Sequence, residues 1–206
     1  MIDYSKYSHL FNDPWNIEYH EKKTWDYMKV FLNRGCVFFD VGCQKGIFSE
    51  GVIDLLKDDC SVYGFDVLEH PSIVKLRKRF SNFKFINSAI GTGEIIACMI
   101  DYNTNTFVEN QKSLSLDEFC LQNKVNNVDF IKIDVDGCEY KILEGSKNIL
   151  KKYSPVLMIE MVNSEDDCNR LRIESTNQKK CKDFLKEYNY KIIGVKDDIN
   201  YFFKKS

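Results

Sequence analysis

Apolar segments of strand length alternate with segments of helical periodicity through most of the chain. Runs rich in β-branched and aromatic residues predict strands at 37–40, 61–66, 83–86, 128–134, 156–161, 190–195 and 201–204. Apolar positions three and four apart predict helices at 17–32, 47–56, 72–80, 116–123, 138–152 and 178–188. A further apolar run at 95–100 predicts an extra strand or arm. The alternation is typical of βαβ units, in which helices cover both faces of a parallel sheet.

The last two predicted strands differ from the others in how they are connected. Only the five residues KDDIN separate them, which is too short for a crossover helix, so the two strands must pair antiparallel. We therefore predict an α/β fold with a Rossmann-like, seven-stranded, mostly parallel sheet that ends in an antiparallel hairpin, the layout of class I methyltransferases. A length of 206 residues predicts one domain over 1–206, with 1–34 as an N-terminal helical extension or lid and 35–206 as the core.

Composition narrows the classes of partner. The chain has 29 basic and 31 acidic residues, so no strong positive field attracts nucleic acid or an anionic membrane. Its 8 cysteines are never spaced as a CxxC pair, which argues against zinc knuckles and redox motifs. The N-terminal segment lacks the apolar core of a signal peptide, and the apolar runs are too short to span a membrane. These features predict a soluble, intracellular, cytoplasmic protein with reduced thiols and no nucleic-acid partner.

The first predicted core strand ends in DVGCQKG, a glycine-framed turn that opens onto a helix. Asp40, Gly42, Cys43 and Gly46 are candidate cofactor-binding residues, because glycine lets the backbone approach a ligand and the helix start offers free N–H groups. The alternative is an ordinary strand-to-helix turn with Asp40 as its cap.

The next two strand ends support a nucleoside site. Asp66 ends the second strand, where a carboxylate can accept both hydroxyls of a ribose, although it can also be a simple turn or cap residue. Ser88 and Ala89 follow the third strand and are small enough to border an adenine ring. Gln44 replaces the second glycine of a pyrophosphate loop, and Asp40 can pair with an amine, so the pattern favours S-adenosylmethionine over NAD.

Charged residues are concentrated at the C-terminal end of the fourth strand, in the segment VDFIKIDVDGCE. Lys132, Asp134, Asp136 and Glu139 lie within eight residues at the edge where open α/β sheets bind ligands. One of these carboxylates can instead cap the following helix or lie in solvent. The fifth strand ends in Glu160, a carboxylate in an apolar run that requires a partner or a metal ion.

The segments DVGCQKGIFS, YGFDVLEHP, NSAIG, SLSLDEF, VDFIKIDVDGCEYKILEGS and PVLMIEM resemble the successive motifs of the FkbM family of S-adenosylmethionine-dependent methyltransferases. The resemblance covers about 35–161 and is most specific at IKIDVDGCE. The family more often has Ala at Cys43, Glu-Pro where this chain has Asp66-Val67, and Glu at Asp136, and each departure is chemically mild.

The resemblance implies methylation of a hydroxyl group, most often on a sugar, including deoxysugars, or on a polyketide, so the expected partner is a small-molecule or glycan acceptor. Asp134 is the first candidate for the base or orienting group, with Asp136 and Glu139 as further catalytic residues and Asp134 also contacting the cofactor. A divalent ion, Mg²⁺ or Mn²⁺, held by Asp134 and Glu160 is an alternative way to activate the hydroxyl, since related sugar and catechol methyltransferases carry metal carboxylates at these strand ends.

The acceptor side is less defined. Residues 1–34 and 103–113 are expected to cover the acceptor pocket, and Trp15, Tyr19 and His20 are candidates to contact a sugar ring, although aromatic residues on such a helix are more often core. A non-sugar small molecule, an amine or a protein side chain is the alternative acceptor. A nucleotide-type oxidoreductase is disfavoured by Gln44 and by the terminal hairpin, and a non-catalytic binding module is the third alternative.

Overall fold

Strands and helices alternate along the chain, as the hydrophobic pattern predicts. The structure is a computed structural model that describes residues 21–101, 106–161 and 177–206. The strands are β1 (Cys36–Val41), β2 (Cys60–Asp66), β3 (Phe83–Asn87), β4 (Ile95–Asp101), β5 (Thr106–Lys112), β6 (Phe130–Ile133), β7 (Val156–Glu160), β8 (Tyr190–Lys196) and β9 (Asn200–Lys205). The helices are α1 (Lys22–Met28), α2 (Ile47–Leu56), α3 (Pro71–Arg79), α4 (Leu116–Asn123), α5 (Glu139–Glu144), α6 (Lys147–Lys152) and α7 (Asn177–Glu187), and a 3-10 turn (Lys29–Phe31) follows α1.

The main sheet has seven strands in the order β3-β2-β1-β6-β7-β9-β8. The pairs from β3 to β7 are parallel, whereas β9 runs antiparallel to both β7 and β8. The predicted Rossmann-like sheet with a C-terminal antiparallel hairpin is therefore confirmed. This order places β1, β6 and β7 side by side, so their carboxyl ends meet at one edge.

Helices cover both faces of the sheet. One hydrophobic cluster joins the sheet to α1, α2 and α3 through fully buried residues such as Met28, Val52 and Ile73. The other cluster joins the opposite face to α4, α5, α6 and α7. None of the helices in the described part of the chain is long and apolar enough to cross a membrane.

The helix predicted at 138–152 is divided into α5 and α6, so that prediction was wrong. The division is at Gly145, where a Cβ would lie 2.0 Å from the carbonyl oxygen of Gly91. The carboxylate of Asp117 accepts hydrogen bonds from the backbone N–H groups of Asn148 (2.8 Å) and Ile149 (2.9 Å). A tertiary contact and a cap from another helix thus interrupt a locally continuous helical pattern.

A two-stranded antiparallel arm, β4 and β5, lies outside the main sheet. The first of its strands confirms the extra strand or arm predicted at 95–100. The second strand was not predicted, because Glu109, Asn110 and Gln111 make its sequence polar and an arm of two strands buries little surface.

Candidate functional site

Lys132 lies at the centre of the charged residues on the edge where β1, β6 and β7 end. It is the register partner of Asp40 on the neighbouring strand, and its Nζ lies 3.5 Å from Asp40 Oδ1. The same Nζ lies 2.8 Å from Asp134 Oδ2. Burial by itself would lower the pKa of Lys132, but the charges of Asp134, Asp40 and Glu21 raise it well above its usual range. Lys132 therefore stays charged although its side chain is only 3% exposed.

Asp40 lies beneath the glycine loop that follows β1. It is 1% exposed, and its Oδ2 accepts hydrogen bonds from the backbone N–H (3.1 Å) and the hydroxyl (2.7 Å) of Ser49 in the first turn of α2. The carboxylate predicted to meet the cofactor amine is thus bonded to α2 and lies beside Lys132. In this position it fixes the loop from below.

Gly42, Cys43 and Gly46 form the turn between β1 and α2. Gly42 has a φ of +77°, and a Cβ there would lie 1.7 Å from the carbonyl oxygen of Asp134. The close approach that requires glycine is therefore to the end of β6. Cys43 is 5% exposed, and burial raises the pKa of its thiol well above the usual range, so it acts as a small apolar residue at the site.

Asp66 at the end of β2 is tied to the same loop. Its Oδ2 accepts a hydrogen bond from the backbone N–H of Gln44 (2.8 Å), and its Oδ1 accepts one from Leu68 (3.1 Å). Burial raises the pKa of Asp66 to about 6, although these hydrogen bonds oppose the increase. A carboxylate has about four acceptor positions, so Asp66 retains acceptor capacity toward a ribose.

Ser88 and Ala89 follow β3 beside Asp66. The backbone N–H of Ser88 donates to the carbonyl oxygen of Asp66 at 3.0 Å. Ala89 belongs to a small buried apolar cluster with Val67 and Leu68, against which part of β4 packs. A carboxylate beside a small apolar cluster fits the ribose and the adenine of a nucleoside, so these residues are compatible with S-adenosylmethionine.

The carboxylates predicted to be catalytic after β6 differ in their surroundings. Asp134 is 24% exposed in its side chain and is ion-paired with Lys132. Asp136 is partly exposed and has a φ of +53°, a conformation that is uncommon outside glycine and is often found at functional sites. Burial and the charges of Asp134 and Glu139 raise the pKa of Asp136 to about 7.

Glu139 lies deeper than the other two. It is 3% exposed, and its oxygens accept hydrogen bonds from the backbone N–H of Gly137 (2.9 Å) and the side-chain amide of Asn177 (2.6 Å). Burial raises its pKa. These contacts hold the turn after β6 against α7, so the geometry gives Glu139 a supporting position.

Glu160 and Glu21 complete a group of acidic residues around Lys132. Glu160 ends β7 one residue beyond the pair Ile133–Ile159, and its pKa is raised by the charge of Asp134 and by burial. Glu21 precedes α1, and burial and the charge of Asp134 raise its pKa. Within the described residues, Glu21 Oε2 is buried and accepts no hydrogen bond.

Asp134 and Glu160, the predicted metal ligands, do not fit a divalent ion well. Mg²⁺ prefers six oxygen ligands, and one of these two carboxylates already binds the ammonium of Lys132. In the ranges 21–101, 106–161 and 177–206, no group of three or more His, Cys, Asp or Glu is arranged to hold a metal ion.

Two features of this site could not be predicted from the sequence. Glu21 comes from the predicted helix at 17–32, where no local pattern indicates that its charge acts on Lys132. Lys132 is evident in the charged segment, but its pairing with Asp40 depends on the register of two strands 92 positions apart. Trp15, Tyr19 and His20 lie outside the described residues, as does part of the 103–113 stretch.

Comparison with known proteins identifies a family. The model of the methyltransferase FkbM domain matches residues 79–192, which is more than half of the chain. No curated protein sequence matches the chain.

Solved structures share the fold at low sequence identity. A methyltransferase FkbM from Methylobacillus flagellatus KT has a TM-score of 0.58 and 16% identity, over 96% of this chain and 49% of that chain. This chain thus spans about half the length of that protein. A SAM-dependent methyltransferase from Aquifex aeolicus has a TM-score of 0.55 and 16% identity, over 98% and 97% of the two chains. A putative ribosomal RNA methyltransferase from Plasmodium falciparum has a TM-score of 0.53 and 15% identity, over 92% and 96%.

Proposed function

The chain belongs to the FkbM methyltransferase family, and on this premise we propose that it transfers a methyl group from S-adenosylmethionine to a hydroxyl group of a sugar or glycan. One observation carries the proposal. The loop that suits the methyl donor and the carboxylates that suit a hydroxyl acceptor meet where Gly42 contacts the backbone of Asp134. Donor and acceptor are then held side by side, as an in-line transfer requires.

The donor side is built from the ends of β1, β2 and β3. S-adenosylmethionine, when bound, supplies a methyl group activated by its sulfonium. Asp66 accepts the ribose hydroxyls, and the apolar cluster around Ala89 accepts the adenine. The loop from Gly42 to Gly46 and the start of α2 receive the amino-acid end, with Asp40 fixing the loop from beneath.

The acceptor side uses the carboxylates after β6. A neutral hydroxyl is a poor nucleophile, so a base must remove its proton during transfer. We assign this role to Asp136, because a base with a pKa of about 7 is half ionised near neutral pH and is still strong enough to take the proton. Asp134, held by Lys132, orients the hydroxyl by accepting its hydrogen bond.

The charge of the site favours a neutral or cationic acceptor. The pKa of Glu160 is raised to about 9, so this group is largely protonated at neutral pH. Asp40, Asp134 and the partly ionised Glu21 and Asp136 still exceed the single ammonium of Lys132, so a phosphate-rich acceptor such as RNA would be repelled. Hydroxyl groups donate readily to carboxylates, which suits a sugar. The same excess of carboxylates makes an amine the second candidate acceptor, because a cationic amine is attracted to it.

Two measurements test the proposal. Calorimetry with S-adenosylhomocysteine should show binding in the micromolar range. Incubation with methyl-labelled S-adenosylmethionine and a panel of glycans, free sugars, small alcohols, amines and RNA, with and without EDTA, should label a sugar hydroxyl and be insensitive to EDTA.

Each arm has an outcome that contradicts part of the proposal. Absence of S-adenosylhomocysteine binding removes the methyltransferase assignment and reopens the oxidoreductase alternative. Label on amines or RNA alone removes the sugar acceptor. Loss of labelling in EDTA restores the divalent ion at Asp134 and Glu160.

A further inference from the structure

Lys132 is a buried ammonium on a mainly apolar face of the sheet, where it lies beside the buried carboxylate of Asp40. Its neighbour on the same face of β6, Phe130, is fully buried, and its Nζ lies 5.0 Å from the ring centroid of Phe48 in α2. Removing an ammonium from water is energetically costly, and a buried ion pair is often no more stabilising than a well-packed apolar group. A lysine here therefore calls for a reason beyond stability.

The contacts of Lys132 connect the two halves of the site. On one side, Asp40 links it to Ser49 and so to the glycine loop and α2. On the other side, Lys132 donates to Asp134 at 2.8 Å. The loop from Gly42 to Gly46, which we call the donor loop because it faces the methyl donor in the proposed function, and the carboxylate of Asp134 on the methyl-acceptor side are thus connected through one ammonium.

We propose that Lys132 is a positioning residue that holds the carboxylates of Asp40 and Asp134 in place and thereby fixes the donor loop relative to the acceptor side. The inference rests on the proposed function, since it assumes that this loop binds the methyl donor. Lys132 acts through the two carboxylates, and its charge also offsets part of the negative charge that the donor meets.

Calorimetry with S-adenosylhomocysteine and S-adenosylmethionine tests the inference without an acceptor. In Lys132→Met, we expect S-adenosylhomocysteine to bind about tenfold more weakly, as for the loss of a charged contact that orders the loop. In Lys132→Arg, which keeps the charge and donor groups, affinity should return to within about threefold of the unmodified protein. Lys204→Met, an exposed lysine on β9, is the matched control and should bind as the unmodified protein does.

The ratio of the two affinities separates positioning from a purely structural role. S-adenosylmethionine carries a positive sulfur and S-adenosylhomocysteine a neutral one. Loss of the Lys132 ammonium makes the site more negative. The affinity for S-adenosylmethionine divided by the affinity for S-adenosylhomocysteine should therefore rise by about threefold or more in Lys132→Met, and it should stay unchanged in Lys132→Arg. General loosening of the fold would lower the affinities for both ligands by the same factor.

Several outcomes would overturn the inference. The inference is excluded if Lys132→Met folds and binds both ligands with unchanged affinity. It is also excluded if Lys132→Arg binds them no more tightly than Lys132→Met does. If Lys132→Met does not unfold cooperatively, Asp134→Asn replaces it, because Lys132 then keeps Asp40 as its partner. Asp134→Asn should bind S-adenosylhomocysteine more weakly, and it should lower the affinity for S-adenosylmethionine relative to that for S-adenosylhomocysteine. Unchanged affinities contradict the inference. If the unmodified protein binds neither ligand, the proposed function itself is contradicted. This result differs from a failure of the Lys132 inference alone, in which the unmodified protein binds both ligands.

Discussion

Gly42 and Asp134 are in backbone contact across β1 and β6, so close that a Cβ on Gly42 would lie 1.7 Å from the Asp134 carbonyl oxygen. The backbone N–H of Asp134 donates to the carbonyl oxygen of Val41 at 3.0 Å, which continues the pairing of the two strands to their ends. The donor loop and the acceptor carboxylate are thus parts of one rigid junction.

Gly42→Ala should destabilise the fold by at least about 3 kcal/mol, because it adds a backbone clash to the strain of a positive φ. Gly35 is the matched control, since it has a φ of +79° against +77° for Gly42 but nothing within 4 Å of its added Cβ. Gly35→Ala should cost only about 1–2 kcal/mol. Urea unfolding of both variants checks this, and equal losses would show that the contact with Asp134 is unimportant.

Asp66→Ala should weaken the binding of S-adenosylhomocysteine by about 1–3 kcal/mol, the loss expected when charged hydrogen bonds to a ligand are removed. Calorimetry measures the change, with Asp58→Ala as an exposed carboxylate control. If Asp66→Ala binds with unchanged affinity, the ribose assignment is wrong.

The rate of methyl transfer should rise with pH and level off above about pH 7, because the proposed base Asp136 must lose its proton and its pKa is raised to about 7. Asp136→Asn should reduce the rate by about 10²-fold or more while S-adenosylhomocysteine affinity changes little. Initial rates from pH 5 to 9 check the profile. A pH profile that is flat across this range, or an active Asp136→Asn, would assign the proton to another group.

Glu160→Gln should make the protein more stable at alkaline pH. The pKa of Glu160 is raised in the folded state by Asp134 and by burial, so the folded state holds this proton more tightly than the unfolded state. The corresponding stability is present below the ordinary pKa of glutamate and is lost as pH rises through the raised value. Glutamine is never charged, so the advantage of the variant should be near zero at pH 4 and grow to the order of 2 kcal/mol by pH 9.

Urea unfolding at several pH values measures this effect, and Glu187→Gln on the exposed end of α7 is the control. A difference between Glu160→Gln and the unmodified protein that stays constant with pH would show that the carboxyl group is not perturbed.

Asp117→Ala should destabilise the protein by about 1–2 kcal/mol, because it removes the cap from the first turn of α6. Asp183→Ala, which removes an exposed carboxylate from α7, should change stability by less than about 0.5 kcal/mol. Thermal unfolding compares the two, and similar losses would mean that the cap does not separate α5 from α6.

The strand ends were predictable because each follows from a local pattern. β1 and β2 are largely apolar runs with an aspartate at or next to the last residue, and in a parallel sheet such ends gather at one edge. Asp40, Asp66 and Asp134 could therefore be placed at that edge from the chain alone. The antiparallel hairpin followed equally from a connection too short to cross the sheet.

The interactions of those carboxylates were not predictable. Asp40 and Asp66 have similar local sequences, yet their partners differ. Asp40 is paired with Lys132 and accepts a hydrogen bond from Ser49. Asp66 accepts hydrogen bonds from the backbone N–H groups of Gln44 and Leu68. The division of α5 from α6 likewise depends on a contact between Gly145 and the distant Gly91.

The sequence by itself determined the order of the elements, the class of fold, the family and the residues at the edge of the sheet. The tertiary structure decided which carboxylate is ion-paired, which is buried and which has a raised pKa, and it brought Glu21 to a site more than a hundred positions away. The physical reason is that periodicity along the chain reports how each element is buried, whereas ionisation and hydrogen bonding depend on the groups that the register and the crossovers bring together.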